Sequence, residues 1–128
     1  MTGRCGVVVA HGQLGEGFLS ALERVAGQQN NLWPVSNEGL DGAALIEAIE
    51  SLLTDRGAGR EAFLFTDLDG GSCGQACRRL LTAGRVKAVF YGISLPLLIE
   101  FVFLQDQPLQ TMVTAIVAKS RGGLGAHL

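Results

Sequence analysis

Short, uninterrupted apolar runs alternate along this chain with longer stretches of helical period, and that alternation leaves few folds open. Residues 5–10 (CGVVVA), 62–66 (AFLFT) and 88–91 (AVFY) are rich in β-branched and aromatic side chains and read as buried strands. Residues 32–35 (LWPV) make a weaker strand, and Pro34, which has no N–H to give to a ladder, places it at or near an edge. Between them, Phe18, Leu19, Leu22, Val25 and Ala26 recur at helical spacing over 18–26, with Gly27 as a stop. Leu45, Ile46, Ile49, Leu52 and Leu53 do so over 43–53. Further helices are expected over 72–83, with arginines outward, over 95–104, with proline in its first turn, and over 107–119. Residues 122–128 are left as a tail or a very short strand.

The resulting order, β-α-β-α-β-α-β-α-α, implies an α/β fold: a doubly wound, mainly parallel sheet with helices on both faces. Strands that are apolar throughout, rather than alternating, agree with cover on both sides. A chain of 128 residues is one domain with a core of its own. Hydrophobic residues at 48% and charged residues at 17% exclude a disordered chain. The ten basic residues are dispersed against twelve acidic ones, so a nucleic-acid surface, which needs clustered positive charge, is not expected. The most apolar stretch, 95–104, is broken by Pro96 and Glu100 and is far short of a membrane span. The amino terminus has no secretory-signal pattern, and three cysteines are too few for a disulfide scaffold. Together these point to a reducing, cytoplasmic setting.

In a sheet of this kind ligands sit outside the carboxyl ends of the strands, near a switch in strand order. The residues in that position are His11-Gly12, Ser36-Asn37, residues 67–72 and Gly92-Ile93-Ser94. His11 ends the first strand, and a neutral imidazole nitrogen is a good nucleophile. Asp67 ends the third strand. If those strands are neighbours, about 5 Å apart, the carboxylate reaches the ring. A carboxylate on Nδ1–H would set the tautomer, leave Nε2 free and stabilise positive charge on the ring. Gly70 and Gly71 let the backbone approach a ligand, Ser72 is a natural N-cap, and a helix starting there offers N–H groups to an anion.

With these residues in view, the chain resembles the mannose-type (mannose/fructose/sorbose) enzyme IIA proteins of the bacterial phosphoenolpyruvate-dependent sugar phosphotransferase system. VVVAHG at 7–12, followed by GFL at 17–19 and Gly27, is similar to the start of that family's active site. AALI at 43–46 falls where its second helix begins. FTDLDGGS at 65–72 is similar to its Asp-x-x-Gly-Gly-Ser/Thr loop, and GISLPLLIE at 92–100 to its Gly-x-Asn-Leu-Pro-Met-Leu-Leu-Glu segment. The departures are Ser94 at the asparagine position and Cys73-Gly74-Gln75 after the Gly-Gly-Ser. The resemblance covers essentially all of residues 1–128 as one enzyme IIA domain. It implies a phosphoryl carrier in which His11 accepts phosphate from the histidine phosphocarrier protein and passes it to an enzyme IIB component for sugar uptake. Asp67 would orient the ring, and Gly70, Gly71 and Ser72 would hold the phosphoryl oxygens. It also implies a homodimer formed by exchange of a C-terminal strand, with membranes reached only through the permease subunits. No metal or cofactor is required, because helix N–H groups can supply the electrostatics.

Other readings stand beside this one. A protein of the same fold could use the phosphorylation state as a regulatory signal. Asp67 and Asp69 in DLDG resemble the Asp-x-Asp-Gly of haloacid-dehalogenase phosphatases, with magnesium, although that motif normally opens its domain. Cys73 and Cys77, four apart on a helix beside His11, form a candidate metal pair. Gly12-x-x-Gly-x-Gly after a strand evokes a nucleotide site, with its glycines in the wrong order for the dinucleotide fingerprint.

Overall fold

The computed structural model describes residues 3–128. Strands β1 (Arg4–Ala10), β2 (Leu32–Ser36), β3 (Glu61–Thr66) and β4 (Ala88–Tyr91) form one sheet in the order β2-β1-β3-β4, with every pair parallel. Helices α1 (Leu14–Ala26), α2 (Gly42–Arg56) and α3 (Gly71–Thr82) connect successive strands, and α4 (Leu95–Leu104) and α5 (Leu109–Arg121) follow β4. β2 lies at an edge, as Pro34 requires. The chain winds outward from β1 to β2, then crosses to β3 on the other side. The switch point therefore falls between the carboxyl ends of β1 and β3.

The two-residue period of the strands divides the core in two. Val7, Val9 and Leu64 point to one face, where Leu45, Ile49 and Leu53 of α2 and Cys73, Cys77 and Leu80 of α3 cover them. Val8, Phe63 and Phe65 point to the other, against Leu22 of α1, Phe101 of α4 and Met112 and Ile116 of α5. On that face Phe65 stacks on Phe90 at 5.2 Å and meets Phe101 edge-on at 5.0 Å. Gly6 leaves the space the Phe65 ring occupies, since a Cβ there would strike it. The doubly wound, single-domain α/β architecture expected from the sequence is the one observed.

Helix ends differ from the periodic reading where glycine and proline decide them. α1 begins at Leu14 instead of residue 18, taking Gly15 and Gly17 into its first turn. A Cβ on Gly15 would lie 3.2 Å from the Val8 carbonyl oxygen, so the residue that looks like a breaker is what lets the helix close on the sheet. α5 begins at Leu109, after Pro108 as N-cap, two residues later than its periodicity indicated. Residues 122–128 form neither helix nor strand. No helix among the described residues is long and apolar enough to cross a membrane.

Candidate functional site

Because Val9 and Thr66 are in register, the residues leaving β1 and β3 emerge side by side at the switch point. His11 Nδ1 lies 2.8 Å from Asp67 Oδ2, and the His11 backbone N–H donates to the same oxygen at 3.1 Å. Asp67 Oδ1 accepts from the Leu68 backbone N–H at 3.0 Å and from the Thr66 hydroxyl at 3.4 Å. Burial by itself would raise the Asp67 pKa. The hydrogen bonds from the His11 backbone and ring, together with the ring's charge, outweigh it and hold the carboxyl below its ordinary value of 3.8. An ionised carboxylate only accepts, so in the neutral form of the ring the proton sits on Nδ1 and Nε2 keeps its lone pair. The His11 side chain is 42% exposed and that of Asp67 12%, so an incoming group meets the ring and not the carboxylate.

The free edge of the ring faces α3. A Cβ built on Gly71 would stand 4.0 Å from both His11 Nε2 and Cε1. Gly71 has φ +71°, a left-handed conformation that side chains disfavour. Nε2 is thereby aimed at a helix N-terminus, where the first N–H groups have no intrahelical partner and the dipole is positive. The loop before it is pinned, since Gly74 packs against the Asp69 carbonyl so closely that any Cβ would collide.

Ser72 is not the N-cap that its residue type implied. The cap is Gly70, in an extended conformation without a side-chain bond, and Ser72 lies in the first turn of α3. Its hydroxyl oxygen accepts from Asn37 Nδ2 at 3.4 Å. Asn37 is the residue that side-chain reasoning missed. Its Oδ1 accepts from the Gly12 backbone N–H at 3.3 Å, so one amide ties the His11 loop to the start of α3. The strand-end rule does single out position 37, but asparagine there also fits an ordinary turn. Ser94, in the fourth strand-end loop, is occupied structurally: its hydroxyl caps α4 by accepting from the Leu97 N–H at 3.2 Å.

Asp69 does not face the ring. It is exposed and turned toward Arg78, 4.0 Å away, while Asp67 is engaged by His11, so the two aspartates of DLDG serve different neighbours. Cys73 and Cys77 are both fully buried behind the crevice. Burial, then the charges of Cys73 and Asp67, push the Cys77 thiol up to about 12. Burial and the Asp67 charge also raise Cys73. The metal-type grouping among the described residues is not the Cys73–Cys77 pair anticipated from spacing: donor atoms of His11, Asp67 and Cys73 all lie within 4.8 Å of one another. Around the crevice, Leu14 and Leu68 are exposed, whereas Phe18 and Trp33 are drawn partly into the core.

A four-stranded parallel sheet with helices on both faces and an imidazole at its switch point, facing a helix N-terminus, defines a doubly wound α/β protein. Residues 6–119 match the model of the EIIA-man family, described as PTS system fructose IIA component, and the chain belongs to that family. It is a phosphotransferase-system IIA component. No curated protein sequence matches it. Among solved structures it is similar to phosphotransferase system component EIIA from Streptococcus agalactiae, at 25% identity and a TM-score of 0.85, covering 96% of each chain. It shares its fold with the PTS IIA protein associated with the fucose utilization operon from Streptococcus pneumoniae (21% identity, TM-score 0.79, covering 98% of this chain and 93% of that one). The fold also matches the mannose/sorbose specific IIA subunit from Enterococcus faecalis, at 14% identity and a TM-score of 0.79, covering 100% of this chain and 96% of that one.

Proposed function

We propose that this chain, as one enzyme IIA domain, carries a phosphoryl group on His11, accepting it from the histidine phosphocarrier protein and passing it to an enzyme IIB component. The observation that carries this reading is the 2.8 Å contact between His11 Nδ1 and Asp67 Oδ2, with Nε2 left free and turned toward Gly71. In the transfer, the Nε2 lone pair forms a bond to phosphorus as the N–P bond of the donor phosphohistidine breaks. The donor ring leaves with that electron pair. The His11 ring then bears positive charge, which the Asp67 carboxylate offsets. Gly70, Gly71 and Ser72 receive the phosphoryl oxygens at the N-terminus of α3, through backbone N–H groups and the Ser72 hydroxyl. Exchange between two histidines needs placement and electrostatics more than covalent machinery.

The exposed Leu14 and Leu68 form an apolar rim on which protein partners dock. The protein works in the cytoplasm and reaches the membrane only through its permease partners. It assembles as a homodimer through the outer flank of β4, where Leu124 of the C-terminal segment lines a groove and is largely exposed. Incubation with phosphoenolpyruvate, enzyme I and the phosphocarrier protein should place one acid-labile, base-stable phosphate on the chain. His11→Ala should abolish it, and undiminished labelling of that variant would refute the assignment.

A further inference from the structure

We propose that His11, Asp67 and Cys73 together bind a thiophilic divalent cation of the zinc class, and that the bound ion blocks phosphoryl acceptance. The second half of this statement rests on the function proposed above; the binding itself does not.

The donor set is what distinguishes this cluster. One imidazole nitrogen, one carboxylate oxygen and one sulfur lie within 4.8 Å of one another. A tetrahedral zinc with bonds of about 2.0–2.3 Å places its ligand atoms roughly 3.3–3.8 Å apart. Adjustments of about an ångström, mainly opening the 2.8 Å Nδ1–Oδ2 contact and turning the Cys73 side chain, bring all three donors within reach of one ion. The three residues sit on different elements, at the ends of β1 and β3 and in the first turn of α3, so the sheet and the helix hold them from three sides. Cys73 is fully buried while the His11 side chain is 42% exposed, so an ion entering past the ring finds the softest ligand at the floor. The charges also balance: a thiolate and a carboxylate neutralise a dication, the imidazole is neutral, and the thiol proton leaves to solvent. With three protein donors and the His11 ring partly exposed, the fourth position is left to water, the three-ligand form that zinc adopts at accessible sites.

Occupation silences the ring whichever nitrogen is used. An ion on Nε2 takes the lone pair that would attack phosphorus. An ion on Nδ1 displaces that proton, and the neutral ring then carries its hydrogen on Nε2.

The test uses the intact metal-free protein and cobalt(II) as the optical probe, with zinc(II) as competitor. One equivalent of cobalt should produce a thiolate-to-cobalt charge-transfer band, and one equivalent of zinc should remove it. Cys73→Ser should abolish the band and weaken zinc binding by at least ~100-fold, more than the loss of a supporting residue around a metal. Cys73→Ala repeats the test without a hydroxyl, and circular dichroism shows that both variants are folded. Cys5→Ser, at the opposite end of β1, should keep the band. Absence of the band in the parent protein, or its persistence in both folded Cys73 variants, overturns the site. Zinc added before the phosphoryl donor should suppress labelling and a chelator should restore it. Labelling undiminished at saturating zinc overturns the block. A band in a protein that cannot be labelled even without metal leaves the site standing and refutes the carrier function instead.

Discussion

The crevice between β1 and β3 and the outer flank of β4 both open to solvent, yet they are built on opposite principles. In the crevice, a few polar groups each have a named partner: the His11 ring and backbone on one Asp67 oxygen, Leu68 and Thr66 on the other, Asn37 bridging Gly12 and Ser72. The flank of β4 is a groove of about 400 Å³, lined largely by apolar side chains such as Phe90, Pro96, Leu97, Val113 and Leu124, with Tyr91 60% exposed beside it. β4 has only four residues and no strand on its far side among the described residues, so its edge groups lack ladder partners. Chemistry needs the first arrangement, in which orientation is settled before a ligand arrives. Association needs the second, in which apolar surface and free edge groups are completed by another chain.

Substitutions that strike one region and spare the other sharpen this contrast. After His11→Ala itself, the largest effect is expected at Asp67. Asp67→Ala should slow labelling of His11 by roughly one to three orders of magnitude, since ring orientation and charge stabilisation are lost together. The self-association proposed for the β4 flank, measured by analytical ultracentrifugation, should not change. Gly71→Ala comes next, because it forces a side chain into φ +71° and should cost about 1–2 kcal/mol in denaturant unfolding. Its Cβ would also stand 4.0 Å from Nε2, so labelling should fall by more than the lost stability explains. Tyr91→Arg addresses the flank, and a charge on the edge should weaken self-association by about tenfold, or ~1.4 kcal/mol. Labelling at protein concentrations above the dissociation constant should stay within about twofold of the parent, as for a surface change remote from the site. A labelling defect there would mean that the two regions are one functional unit.

The smallest effect lies in acid. The Asp67 carboxyl is held below 3.8 in the folded protein, so its ionised form contributes stability above that value, and the contribution is lost as pH falls through the lower folded pKa. Asp67→Asn should therefore flatten the fall in stability below about pH 4, seen as a shallower acid limb in thermal melts. An identical acid limb in the variant would show that the His11 contact does not favour the ionised carboxylate.

Much of this is legible in the sequence. The β-branched runs and helical spacings located all four strands, and Pro34 placed β2 at an edge. The strand-end rule picked His11 and Asp67 by position. What it misread shares a cause. The helix expected over 18–26 starts earlier, with Gly15 and Gly17 inside α1, and Ser72, expected as a cap, lies inside α3. Local propensity describes what a residue prefers when nothing packs on it. Gly15 instead answers to the Val8 carbonyl against which its helix closes, and Ser72 to Asn37 across the crevice. Phe18 and Trp33 are drawn partly into the core, and hydrophobicity alone does not say which face a helix or edge strand turns inward.

The sequence by itself determined the element order, the parallel sheet that order demands and the short list of residues at the strand ends, because periodicity and chain connectivity are local properties. Only the tertiary structure decided that β1 lies beside β3, that Asp67 turns to His11 while Asp69 turns to Arg78, and that Cys73 joins the histidine rather than Cys77. Those outcomes depend on which side of β1 the chain crosses to and on a few ångströms of register, and both are settled by the packing of the whole core.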